Sequence, residues 1–191
     1  MALDAAETIA ATQGYRGIST RGIATAIGYT VGTLYLVFEN LDDIILQVNG
    51  RTLDKLYDWV RGRCSDDTSA PDEALLVLAG AYIAYAENNA LRWNMLFEQT
   101  EGRSELLPEW YQRKRERVLA LVETALQPLS EDEDEIRHLG LVLWAGIHGI
   151  CTLKIRRRMD IAGKLSAEEM CQMLIDNFLR GFNLNKMNSD A

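Results

Sequence analysis

Apolar residues recur at helical spacing along nearly the whole chain, and no β-hairpin or βαβ pattern interrupts them. Residues 2 to 13 place Leu3, Ala6, Ile9 and Ala10 on one side of a helix that Gly14 stops. Ser19 stands where it can cap a second helix, which runs through Ile23, Ala24 and Ile27 to Gly28. Thr30 can cap a third and very short helix from Val31 to Phe38. Asn40 can cap a fourth, with Asp42 and Asp43 in its first turn, where carboxylates suit the helix dipole. That helix continues through Ile44, Ile45, Val48, Leu53, Leu56 and Tyr57 toward Val60.

A polar break from Cys64 to Pro71 reads as a domain boundary or a loop beside one. The pattern then predicts helices over Asp72 to about Asn88, Leu91 to Gln99, Pro108 to about Leu126, and Glu131 to Arg157. Ser166-Ala-Glu-Glu is a capping-box pattern that opens a last helix ending near Leu184. The expected fold class is all-α, with about nine helices. No internal repeat is visible.

Residues 19 to 38, STRGIATAIGYTVGTLYLVF, hold two short helical patterns around Gly28-Tyr29-Thr30. A short helix with little apolar face of its own must be propped by its neighbours and offered outward. Two such helices about a glycine turn describe a helix-turn-helix, whose second helix enters the DNA major groove.

Composition narrows the alternatives. At 191 residues the chain suits one or two domains with a real core. Its longest apolar run, Gly140 to Leu153, contains His148 and is too short to cross a bilayer, and no signal peptide opens the chain. Three scattered cysteines argue against a disulfide framework and fit a reducing cytoplasm. The net charge is −8, and residues 1 to 50 carry Arg16 and Arg21 against five carboxylates. Phosphate neutralisation drives most nucleic-acid affinity, so this local field works against DNA binding.

The first forty-five residues resemble the TetR family of transcriptional regulators. The matching residues are Gly14-Tyr15, Ser19, Ile23-Ala24, Gly28, Gly32-Thr33-Leu34-Tyr35 and Phe38, followed by an acidic helix start and Ile44. Trp144-Ala-Gly-Ile-His-Gly149 is similar to the motif of members with a WHG-type C-terminal domain. The resemblance implies a helix-turn-helix DNA-binding domain over residues 1–45. It implies a helical ligand-binding and dimerisation domain over residues 46–191. It also implies a cytoplasmic homodimer that binds a palindromic operator, as a repressor in the family's usual mode, and leaves it when a small-molecule effector binds. Three positions depart from the family: Val31 and Leu41 stand where a cation is common, and Val37 where histidine is common.

Within this reading Thr33 and Tyr35 are the foremost DNA contacts, with Thr20 and Thr30 at helix starts and Arg21 as the phosphate anchor. Capping, packing and plain solvation are the simpler roles for the same side chains. Trp144, His148 and Cys151 share one stripe of the long penultimate helix, either as a pocket wall with His148 orienting a ligand or as core. Tyr85, Phe97 and Trp110 are the other expected pocket residues. Leu143, Ile147 and Ile150, with Met170, Leu174 and Gly181 on the last helix, are the expected dimer interface. His138 and His148 are too far apart to share a metal, so neither a metal nor a cofactor is expected. No nucleophile with a base, phosphate loop or carboxylate pair stands out, so the chain reads as no enzyme. The competing reading is a small-molecule-binding helical dimer whose DNA binding is weak or lost.

Overall fold

The computed structural model describes residues 1–64, 70–98 and 107–189. Among them are nine α-helices: α1 (Ala2–Gln13), α2 (Thr20–Ile27), α3 (Val31–Leu34), α4 (Leu41–Arg61), α5 (Pro71–Asn88), α6 (Ala90–Glu98), α7 (Glu109–Leu126), α8 (Glu133–Ile155) and α9 (Ala167–Ser189). No strand occurs among the described residues, so the fold is all-α as the periodicity predicts. The expected ends fall within a few residues of those observed. α3 is shorter than expected, because regular helix gives way to turns after Leu34. The polar break at 64–71 and the expected end of the sixth helix at Gln99 lie largely outside the described residues.

Side chains that end helices sit where the sequence puts them. Asp132 caps α8, accepting from the N–H groups of Asp134 and Glu135. Ser166 and Glu169 form the expected capping box, each accepting the other's backbone N–H, at 3.1 and 2.7 Å.

The chain forms two compact units, discontinuous in sequence: residues 1–56 with 88–115, and residues 57–87 with 116–191. α4 and α7 each contribute to both units. The first unit is centred on Ala6, Ala10, Ile23, Leu34, Phe38, Ile44, Val48 and Met95, contributed by α1 to α4 and α6. In the second, α5, α8 and α9 bury Leu75, Tyr82, Leu143, Ile147 and Ile175. There α8 and α9 approach closely at Gly146, where a Cβ would come within 2.6 Å of a Leu174 methyl. α8 as a whole is long and apolar enough to cross a membrane by length and composition alone. Its buried Leu143, Ile147, Ile150 and Cys151 make it a core helix of this unit.

Candidate nucleic-acid interface and effector site

The helix-turn-helix is assembled by local hydrogen bonds. The Ser19 hydroxyl accepts the Gly22 N–H at 3.1 Å and starts α2. Gly28 ends α2 with φ +74°, in the left-handed region that favours glycine. The Tyr29 N–H then reaches back to the Ala24 carbonyl at 2.9 Å. The Thr30 hydroxyl accepts the Thr33 N–H at 3.3 Å and lies 3.0 Å from the Thr33 hydroxyl. Beyond Leu34 the path stays helical enough for the Phe38 N–H to meet the Leu34 carbonyl at 2.9 Å. Asn40 caps α4 by accepting the Asp43 N–H, while Asp43 accepts the Glu39 N–H.

This geometry gives the segment from 31 to 38 two faces. Leu34 and Phe38 are buried, and Val31 packs against the same core. Gly32, Tyr35, Leu36 and Val37 are exposed. The five expected DNA contacts therefore belong to one α2–turn–α3 unit. Thr30, Tyr35 and Arg21 are exposed, and Thr20 and Thr33 half-buried. Arg16 and Arg21 are exposed and form no ion pair among the described residues.

Arg51, Lys55 and Arg92 of the first unit are engaged. Glu7 is buried on α1, with Lys55 against it, Arg51 at 3.5 Å and Arg92 at 3.7 Å. Arg51 also holds Asp4 at 2.6 Å. The amino terminus first, and Arg51 second, lower the Asp4 carboxyl to about 2. Burial, with the Arg92 charge behind it, lowers Lys55. These contacts tie α1, α4 and α6 together. Sequence reasoning missed them, because Glu7 is in register with the apolar side of α1 but reads as a solvated carboxylate.

In the second unit the indole of Trp144 stacks on His148, with centroids 5.0 Å apart and planes at 23°. The Tyr82 hydroxyl lies 3.0 Å from His148 Nδ1. Burial lowers the histidine's pKa, so the ring is neutral near pH 7 and one nitrogen can accept while the other donates. Cys151 and Cys171 are buried thiols, pushed up to about 12 and about 11 by that burial. Thiols so protonated are poor nucleophiles. Tyr85 is buried too, and meets Trp59 edge-on at 6.2 Å. The tyrosine that pairs with His148 is Tyr82, one turn earlier on α5. No pattern in the sequence separates the two.

Phe97 and Trp110 belong to the first unit. Phe97 packs on Trp93 at 4.8 Å. Trp110 stands partly exposed beside Gly50, Asp54 and Lys114 in an open groove of about 330 Å³.

Leu143, Ile147 and Ile150 do not form an outer face: they are buried within the chain. The helix is apolar on both sides, so its period alone cannot tell the inner stripe from the outer. The exposed apolar positions of α8 are the adjacent Leu141 and Val142, with Ala145 and Gly149 beyond them. On α9, Met170 and Leu174 are half-buried, whereas Met173 and Gly181 are exposed.

Comparison with known proteins gives two family matches. Residues 2–48 match bacterial regulatory proteins of the tetR family, and residues 75–178 match the tetracyclin repressor-like C-terminal domain. The chain is 26% identical over 162 residues to an uncharacterised HTH-type transcriptional regulator of Mycobacterium tuberculosis, covering 83% of this chain and 70% of that protein. In fold it is similar to a protein of unknown function from Rhodococcus sp. RHA1, with TM-score 0.76, 18% identity, and coverage of 94% and 92% of the two chains. It is also similar to a TetR family transcriptional regulator, PfmR, from Thermus thermophilus, with TM-score 0.61, 20% identity, and coverage of 94% and 97%.

Proposed function

Because the chain belongs to the TetR family of bacterial regulatory proteins, we propose that it is a ligand-responsive repressor that binds a palindromic operator as a homodimer. The observation that carries this is the α2–turn–α3 unit. Its buried Leu34 and Phe38 fix a short helix whose opposite face is open. In this reading residues 1–45 read DNA through Thr20, Arg21, Thr30, Thr33 and Tyr35, and residues 46–191 bind the effector and dimerise. The protein works in the cytoplasm and performs no catalysis.

The effector is a small molecule recognised by the Tyr82–His148–Trp144 cluster, which offers an aromatic face and a neutral, bifunctional imidazole. Its differential affinity for two arrangements of the dimer shifts the protein away from DNA. The dimer is two-fold, so each protomer presents the same patch. Leu141, Val142, Ala145 and Met173 are exposed small or apolar positions suited to that seam. The test is binding to DNA from the gene's own upstream region at low salt, with and without cell extracts as an effector source. Binding without sequence preference in both conditions rejects the reading.

One observation favours the second reading, a helical effector-binding dimer that no longer holds DNA. Arg16 and Arg21 are the side-chain cations of the first fifty residues, and the next two along the chain, Arg51 and Lys55, are engaged by Asp4 and Glu7. Val31→Lys and Leu41→Lys separate the two. A gain of sequence-preferring binding only in these variants supports the second reading.

A further inference from the structure

Leu36 is 84% exposed and Val37 75%, and no other large apolar side chain among the described residues is more exposed than Leu36. Tyr29 and Tyr35, about half exposed, lie in the same short segment. A soluble protein gains nothing in its free state by holding aliphatic side chains in water, so these positions point to a surface that covers them.

The segment's geometry says which surface. Leu36 stands four residues from Gly32, and Val37 four from Thr33, so each pair shares one ridge of the helical path. Leu34 and Phe38 hold the opposite ridge in the core. Gly32 has no side chain, and the one atom near its missing Cβ is the Thr30 hydroxyl at 3.7 Å. The helix can therefore approach a partner closely at Gly32, with Leu36 and Val37 leading.

The chemistry of the segment limits what it can read. Residues 29 to 38, YTVGTLYLVF, contain no Arg, Lys, Asn, Gln, Asp or Glu. The bidentate contacts that identify guanine, adenine or cytosine are absent from its repertoire. What remains is a set of hydroxyls and exposed aliphatic carbon. The one apolar group on a major-groove edge is the thymine 5-methyl.

We propose that Leu36, flanked by Val37, reads thymine 5-methyl groups in each operator half-site, and that this contact is a main source of sequence preference. The proposal rests on the operator-binding reading above. Apolar burial does not release counterions, so it supplies affinity that salt does not remove. That offsets the scarcity of free cations in this domain.

The test starts from the best-bound duplex selected from a random-sequence pool by the full-length protein. Replacing thymine by deoxyuridine, one position at a time, removes a methyl and leaves every hydrogen-bonding group in place. Loss of affinity of about fourfold is expected at one or two positions in each half-site, the scale of one buried methyl. Leu36→Ala should bind the thymine duplex more weakly and lose the difference between the two bases at that position. Leu36→Met, which keeps the apolar reach, should retain it. Equal affinity for thymine and deoxyuridine throughout, or undiminished discrimination by Leu36→Ala, overturns the proposal while leaving operator binding intact. A selection that enriches no sequence rejects the operator-binding reading, and this proposal falls with it.

Discussion

The Tyr82 hydroxyl and His148 Nδ1 stand 3.0 Å apart, joining α5 to α8 inside the second unit. Replacing Tyr82 by Phe removes the hydroxyl and keeps the ring. Stability should fall by roughly 1 kcal/mol, the net worth of one hydrogen bond. Urea unfolding of the two proteins side by side checks it. If this cluster holds the effector, its affinity should fall by a larger factor than the stability change implies.

The same histidine gives the protein a defined pH response. Burial lowers the folded-state pKa of His148 below its ordinary value of 6.5. The unfolded chain therefore takes up a proton first as pH falls, and stability declines with it. The contribution is fully present above about pH 6.5 and is lost as pH falls toward the lowered folded value. His148→Gln should flatten the dependence of the denaturation midpoint between pH 7.5 and 5. Asp4, held at about 2, gives its own contribution up at lower pH, as its carboxylate titrates below 3.8.

Glu7 is the hinge of the ion cluster in the first unit. Glu7→Gln leaves Lys55, Arg51 and Arg92 without their buried carboxylate. Breaking a fully buried pair costs about 3–5 kcal/mol. Lys55 is half exposed and Arg51 more than a third, so solvent screens part of that. A loss of about 1–2 kcal/mol is expected, read from thermal or urea unfolding.

The two sides of α8 should respond differently to charge. Val142 is exposed and Leu143 fully buried. Val142→Asp should yield folded monomers by light scattering, with an unchanged circular dichroism spectrum. Leu143→Asp should instead lower the melting temperature sharply, because it buries a carboxylate without a partner. A dimer unaffected by Val142→Asp would remove this face from the seam.

Most of the helical fold was legible, because amphipathic period, caps and glycine stops act locally and agree with one another. Ser19, Gly28, Asn40 and Ser166 do in the structure what their positions predict. The interior of the second unit was less legible. α8 is apolar around most of its circumference, so Leu143 and Val142 look alike in sequence, yet one is buried and the other faces solvent. The pairing of His148 with Tyr82 rather than Tyr85, and the gathering of three cations about Glu7, depend on how distant helices meet. Local pattern carries no information about either. Phe97 and Trp110 suit a pocket as aromatic residues, a preference that says nothing about which unit they join.

The central claim is that the α2–turn–α3 unit reads a palindromic operator. The most direct measurement is fluorescence anisotropy of the intact protein on the intergenic palindrome beside its gene, against a scrambled duplex of equal length, at low salt. The account predicts binding of two protomers per palindrome, with half-sites about one helical turn or 34 Å apart, and release from the scrambled duplex at lower salt. Equal affinity for both duplexes, or no binding to either, would contradict it.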